Sequence, residues 1–287
     1  MYQLFCDSNC ELWHTTVKEV GLNVIYMPYT LGDQEYFYDL GEKIDLKNFF
    51  DQMRAGASAK TSALNEYAYT EYFEPILARG EDIYYITFSH EMSGTFNAMK
   101  NVIAQLKEKY PEREIRFKDS RTISMANGLI AYYAALKYKE GATMDEMDAY
   151  VDSLIPHFAS YFVVEDLTYL HRGGRLSGVS KVVGNLLGIK PVLHVDDEGH
   201  LISMSKVRGR RAAIVALAQK YGELHDPSAS DRVFISHGDY ESDAKLLKQI
   251  VEETYGARVD IITPVGTVIG AHSGPGTLAI FFLATKR

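Results

Sequence analysis

Apolar positions along the chain follow two rhythms. Ile83 to Phe88 (IYYITF) is a short run of β-branched and aromatic residues, the mark of a buried strand. Phe96, Met99, Ile103, Leu106 and Tyr110 then return every three or four positions, which places them on one face of a helix. The same alternation runs through the first half. Strands are predicted over 2–6, 23–28 and 114–118, and helices over 11–20, 47–54, 64–77, 123–139 and 144–155. Strands alternating with helices give a parallel sheet covered on both faces, a doubly wound α/β unit.

After Pro156 the rhythm changes. Strands over 161–165, 190–195 and 200–205 follow at short spacing, with Asp196-Asp197-Glu198-Gly199 as a hairpin turn. Helices over 211–221 and 242–255, strands over 232–236 and 257–263, and an apolar strand over 278–283 complete an α+β unit with a more antiparallel sheet. The predicted domains are 1–157 and 158–287.

Composition narrows the function. The formal charge of -8 argues against nucleic acid as the main partner, because a DNA binder needs a basic face. No apolar run approaches the length of a membrane span, and Met1-Tyr2-Gln3-Leu4-Phe5 lacks the features of a signal peptide, so a cytoplasmic protein is expected. The only cysteines, Cys6 and Cys10, lack the further ligands a zinc site needs and read as buried thiols.

Ligands of open parallel sheets collect beyond the carboxyl ends of the strands. Three polar clusters fall there: Asp7-Ser8, Ser89 to Thr95, and Asp119-Ser120. Each alone reads as an ordinary cap or turn, whereas three on one rim point to a cleft. Ser93 stands where the N-cap of a helix belongs, and unpaired N–H groups with a hydroxyl make a seat for an anion. Lys60-Thr61-Ser62-Ala63-Leu64-Asn65 precedes another helix. It is either a plain cap or a second hydroxyl, Thr61, aimed at the same carboxylate.

Tyr169 to Gly178 brackets a glycine pair with Arg172 and Arg175, suited to a phosphate or carboxylate on a partner. Val179, Val182, Val183, Leu186 and Leu187 form a short greasy helix, either core or a lid that touches a membrane when open. Lys206-Val207-Arg208-Gly209-Arg210-Arg211 is a basic run, either solvated or a docking surface for an anionic membrane or partner. In Val265 to Gly276 (VGTVIGAHSGPG), His272 sits in what reads as a tight loop, free to donate to a carboxylate or to bond a local carbonyl. No G-x-S-x-G, P-loop, H-E-x-x-H or strand-linked G-x-G-x-x-G motif is present. Hydroxyls, glycines and one histidine make a binding inventory more than a catalytic one.

Taken together and in order, these segments resemble the DegV family of fatty-acid-binding proteins. They are Asp7-Ser8, Lys60-Thr61-Ser62, Ser93-Gly94-Thr95, Asp119-Ser120, Tyr169 to Gly178, Leu187 to Pro191, Val207 to Arg210 and His272 to Gly276. The resemblance spans nearly the whole chain. It implies a long-chain fatty acid in a tunnel between the two domains, its carboxylate held by Thr61 and Ser93 with His272 completing the shell. Ser62, Gly94, Thr95 and Ser273 would support them. It further implies a partner, a fatty acid kinase that docks through Arg172, Arg175, Arg208 and Arg210 and makes an acyl-phosphate for phospholipid synthesis. The chain itself would carry the ligand without catalysing, with no cofactor and no metal. Two departures from the family pattern are Ala63-Leu64-Asn65 after Ser62 and the polar lead-in Ser89-His90-Glu91-Met92.

Two other readings stand beside the carrier. A lipid hydrolase or transferase would use Ser93 or Ser273 with His272, but the sequence offers no third residue to orient the histidine. A regulatory module would sense a lipid and bind another protein through the arginines.

Overall fold

The computed structural model describes residues 2–175 and 188–287. The proposed greasy helix over 179–187, and the segment from Leu176 to Gly178, lie outside the described residues. In chain order the first part holds β1 (Tyr2–Asp7), α1 (His14–Val20), β2 (Asn23–Ile25), β3 (Pro28–Leu31), β4 (Gln34–Phe37), α2 (Leu46–Arg54), β5 (Ala59–Thr61) and α3 (Glu66–Ala78). Then come β6 (Asp82–Thr87), α4 (Thr95–Lys109), β7 (Ile115–Asp119), α5 (Met125–Lys139) and α6 (Met144–Leu154). The rest is β8 (Phe158–Val163), α7 (Thr168–Arg172), β9 (Ile189–Val195), β10 (Leu201–Arg208), α8 (Arg210–Leu224), β11 (Arg232–His237), α9 (Glu241–Tyr255), β12 (Arg258–Pro264), α10 (Thr267–Ser273) and β13 (Leu278–Leu283).

The first sheet has the order β2-β1-β6-β7 and is parallel throughout, so the ends at Asp7, Thr87 and Asp119 share one rim. Its central strand β6 is almost entirely buried, as a strand covered by helices on both faces must be. The second sheet runs β10-β9-β8-β13-β11-β12, antiparallel except for the β11–β12 pair. The architecture is therefore the expected parallel α/β layer followed by an α+β region. One apolar core passes between them: Phe158, Leu193, Leu201 and Phe281 belong to the same cluster as Leu4, Phe5 and Ile83.

Local chemistry explains most of the boundaries. Asn65 Oδ1 accepts the Ala68 N–H and so caps α3 itself, rather than lying inside the helix as the pattern indicated. Thr143 and Glu146 form a capping box at α6. The helix expected from residue 11 starts only at His14, because Ser8–Cys10 make a 3-10 turn and Glu11 takes a left-handed φ of 55°. The strand expected over 23–28 breaks into β2 and β3. The second half joins a small antiparallel sheet, β4-β3-β5, which the sequence pattern did not reveal. The loop expected around His272 is instead the helix α10.

Glu11 fixes that last helix. Its side chain is fully buried; Oε1 accepts the Gly266 N–H at 2.6 Å and Oε2 accepts the Ser124 hydroxyl. Gly266 is the residue before α10, so a carboxyl from the turn after β1 anchors the start of the helix that carries His272. Gly266 has no room for a side chain, since a Cβ there would lie 2.3 Å from the Tyr38 ring. Burial pushes the Glu11 carboxyl up to about 7, against the lowering effect of the Ser124 and Gly266 hydrogen bonds.

Glu11→Gln keeps an acceptor for Gly266 and places a donor against Ser124, without a charge to bury. A group whose folded pKa is raised binds more protons folded than unfolded, so wild-type stability declines as pH rises from 4.5 through about 7. The Gln variant escapes that decline. Thermal melts across this range should show its advantage growing with pH, on the order of 3 kcal/mol at most. Glu11→Ala leaves two buried partners unpaired and should be less stable than the Gln variant by about 2 kcal/mol or more at every pH. A Gln variant that tracks Ala would contradict this role.

Candidate functional site

The turn after β6 is built from short-range bonds. Ser89 Oγ accepts the Glu91 N–H at the start of a 3-10 turn over His90–Met92. Gly94 is already near helical dihedrals (φ -65°, ψ -8°), whereas Ser93 is extended (φ -160°, ψ 143°) and its Oγ accepts the Thr95 N–H at 3.3 Å. Ser93 therefore does the work of a cap one residue before Gly94. Thr95 is buried and spent elsewhere: its hydroxyl accepts from the Leu64 N–H at 2.7 Å and donates to the Leu64 carbonyl. It ties the 61–65 loop to the start of α4, and it does not line the cavity described below.

Thr61 reaches the site from a strand, not from a helix start as expected. It ends β5 opposite Tyr29 of β3, in a sheet that packs against α10. Its Oγ1 lies 2.7 Å from His272 Nε2. On the other side of the imidazole, a Cβ on Gly173 would fall 2.1 Å from Nδ1, so only glycine lets the end of α7 come this close. Nδ1 itself has no hydrogen-bond partner among the described residues, and neither has the buried Ser273 hydroxyl or Asn9 Oδ1. Burial, with the Arg175 charge as a smaller contribution, pulls the His272 pKa down to about 4. The ring is neutral near pH 7.

These residues close one cavity. It has a volume of about 90 Å³, and Thr61, Ser62, Ser93, His272 and Ser273 all line it. Its other walls are mainly apolar, with Met27, Phe88 and Ile123 from the first part of the chain and Phe162, Leu170 and Val268 from the second. Gly94 lies outside it, on an adjoining cleft with His90 and His200. Of the three rim clusters, only the Ser93 turn reaches the cavity through the residues named for it. Asn9 and Ile123 replace Asp7-Ser8 and Asp119-Ser120 as the contributions of the other two. Asp7 is sealed beneath, accepting from Asn9 N–H and the Tyr85 hydroxyl, and Ser8 accepts from the Met27 N–H. Burial raises the Asp7 carboxyl to about 7.

The four arginines diverge. Arg175, expected on a docking surface, turns inward: its guanidinium donates twice to the Met92 carbonyl, at 3.0 and 2.7 Å, and to the Gly173 carbonyl. Arg210 pairs with Asp243 at 2.7 Å and covers the Tyr240 ring. Arg172 and Arg208 are exposed. Among the described residues, the one group with metal-ligand spacing is Asp196, Glu198 and His200, on the exposed hairpin turn and not at the cavity.

The contributions of Asn9, Glu11 and Gly173 were not read from sequence. Asn9 adjoins the flagged Asp7-Ser8 pair, and Gly173 belongs to a pair flagged for a partner. Nothing marked Glu11, because an acid before an apolar run reads as the first turn of a helix.

A family model described as an uncharacterised protein of the DegV family matches residues 1–285. A DegV domain-containing protein from Clostridium perfringens is 34% identical over 286 residues, covering 100% of this chain and 98% of that one. Among solved structures, a DegV lipid binding protein from Thermotoga maritima superposes with a TM-score of 0.83 at 27% identity, over 100% of both chains. A fatty acid binding DegV family protein from Streptococcus agalactiae superposes with a TM-score of 0.84 at 26% identity, covering 100% of this chain and 99% of that one. By the extent of these matches, the chain belongs to the DegV family.

Proposed function

We propose that the protein binds a long-chain fatty acid with its tail in the apolar cavity and its carboxylate at Thr61 and Ser93, His272 completing the polar end. One observation carries this reading: the Thr61–His272 contact and Ser93 lie together at the wall of a cavity whose other faces are mainly apolar. Burying an alkyl chain gains ~0.8 kcal/mol per CH₂, on the order of 10 kcal/mol for a long-chain acid before ordering costs. The desolvated carboxylate then needs donors, since an unpaired buried charge is very costly. Two hydroxyls meet that need. With the proton on Nε2, His272 donates to Thr61 and leaves the Thr61 hydroxyl proton for the ligand. Ser62 and Ser273 stand beside them, and the ligand would lie where the 1–157 and 158–287 halves meet.

Carriage fits better than hydrolysis. A nucleophilic serine–histidine pair needs a group on the far nitrogen to hold the ring. Here Nδ1 faces the Gly173 backbone without a partner among the described residues. The hydroxyl against Nε2 belongs to Thr61, not to Ser93 or Ser273. We further infer that the loaded protein presents the acid to a separate fatty acid kinase in the cytoplasm. The family resemblance supports that partner, and the exposed Arg172 and Arg208 offer it cationic contacts.

Protein purified from bacteria, then denatured and extracted, should release fatty acid in roughly stoichiometric amount by mass spectrometry. Ser93→Ala and Thr61→Val should each weaken retention by about 10- to 100-fold, the loss of one hydrogen bond to a charged group. A wild type that is always empty and cannot be loaded contradicts the carrier reading.

The histidine gives a separate check on the unliganded protein. A folded pKa of about 4 against 6.5 means that the unfolded state takes up protons first as pH falls. Wild-type stability should therefore decline between 6.5 and about 4 relative to His272→Gln, on the order of 3 kcal/mol in all. A difference between the two proteins that stays constant over this range would contradict a neutral, buried ring.

A further inference from the structure

The cleft that adjoins the cavity beside Ser93 has a volume of about 390 Å³, room enough for water. Among the described residues, cleft and cavity share a wall made by Met92, Ser93, Arg175 and Leu201. Met92 and Ser93 come from the turn after β6, whereas Leu201 opens β10. The wall is therefore a joint between two distant segments. Ser89 Oγ donates to the Gly199 carbonyl across it at 2.9 Å, 110 positions away in sequence. Gly199 has a left-handed φ of 94°, and a Cβ there would fall 2.2 Å from Ser89 Oγ, so only glycine lets the hairpin turn come this close.

Carboxylates and imidazoles alternate across the same joint. His90 lies between two acids, with Nδ1 2.5 Å from Asp119 Oδ2 and Nε2 2.9 Å from Glu91 Oε1. His200 repeats the pattern from the other side, with Nε2 3.3 Å from Glu91 Oε2 and Nδ1 3.5 Å from Asp196 Oδ1. A neutral imidazole has one N–H and one lone pair, so it satisfies only one of two flanking carboxylates. Both nitrogens donate only in the imidazolium. Histidine is also the side chain whose charge ordinarily changes between about pH 5 and 8. Once the rings lose their protons, Glu91 and Asp119 on one side, and Asp196 and Glu198 on the other, lose the cations between them. The remaining cations keep their charge over that range. Arg175 lines the cleft and holds the Met92 carbonyl, Arg121 donates to the Asp197 carbonyl, and Arg287 donates to the Ser120 and Arg121 carbonyls. On α4, Phe96 packs against His90 and carries Lys100 over its ring.

We propose that Glu91, gripped by His90 and His200, is a proton-controlled latch that positions Ser93 and keeps the shared wall closed. With both rings charged, the Ser93 turn is pinned to the hairpin turn over 196–200. With both rings neutral, the joint loosens, Met92 and Leu201 part, and the cleft admits water to the acid end of the cavity. Retention is then strongest on the acid side of neutrality. The effect on a ligand rests on the reading that Ser93 holds a carboxylate; the latch itself does not. Glu91 and the two rings are partly exposed, so each pair is weak and salt weakens it further.

The test uses EDTA-treated protein at low salt, because Asp196, Glu198 and His200 also have the spacing of cation ligands. One arm measures amide hydrogen exchange over 89–95 and 196–201, as protection factors at about pH 6 and pH 8. The other measures release of bound oleic acid into excess serum albumin at the same two values. Asp7 and Glu11, pushed up to about 7, titrate in this window, so the variants decide and not the wild-type slope alone. Between the two values, wild type should lose protection and gain release rate by about three- to tenfold more than Glu91→Gln or His90→Gln/His200→Gln. His200→Arg keeps its charge at the higher pH and should there release oleic acid more slowly than wild type, by a similar factor. A wild-type pH dependence equal to that of Glu91→Gln, or a His200→Arg protein as fast as wild type at the higher pH, overturns the proposal. So does a change in protection without a change in release, because Ser93 would then not depend on the latch. If wild type takes up no oleic acid at all, the carrier reading fails, and the exchange arm still decides the latch.

Discussion

The structure turns on a contact between a threonine hydroxyl and a neutral imidazole. Thr61 Oγ1 and His272 Nε2 are separated by 211 positions in sequence and by 2.7 Å in space. Bringing them together takes a small sheet to aim Thr61, a buried glutamate to anchor the helix of His272, and a glycine to let α7 approach the ring. None of these parts brings a charged side chain to the cavity wall. An acid bound beside this contact would be held by donated protons in a largely dry place, where hydrogen bonds are stronger than in water.

Buried ionisable groups surround the site, and two of them, Asp7 and Glu11, do not open into it. Asp7 and Glu11 are both sealed and both pushed toward neutrality by desolvation, while burial drives the His272 pKa the other way. All three shifts favour the uncharged form. A mainly apolar cavity gains from that, because uncompensated charge near its wall would raise the cost of excluding water. Among the described residues, the one cation at the wall, Arg175, is held by backbone carbonyls.

Much of this was legible in the sequence, and the failures have physical causes. The β6–α4 turn was readable because strand, turn and helix are all local, down to the hydroxyl of Ser93. Thr61 was readable as a candidate but not as a strand residue. β5 is only three residues long and exists through its pairing with β3, a contact that no local pattern encodes. His272 was placed in a loop because the glycines of VIGAHSGPG argue against a helix. There, tertiary packing overrode propensity: Gly270 has Phe49 and Phe50 about 3.0 Å from where a Cβ would sit, so the glycine serves close packing. The inward turn of Arg175 and the pairing of Arg210 were invisible for the same reason, since their partners Met92 and Asp243 are remote in sequence.

The central claim concerns where an acid head sits, and carbon-13 NMR of carboxyl-labelled oleic acid bound to the protein reads that position directly. The account predicts a bound carboxyl resonance distinct from that of the free acid, which moves in Thr61→Val and in Ser93→Ala and stays in place when Phe162 is changed to leucine. A resonance indifferent to both hydroxyl substitutions, but displaced by the change at Phe162, would put the head at another part of the cavity wall than Thr61 and Ser93.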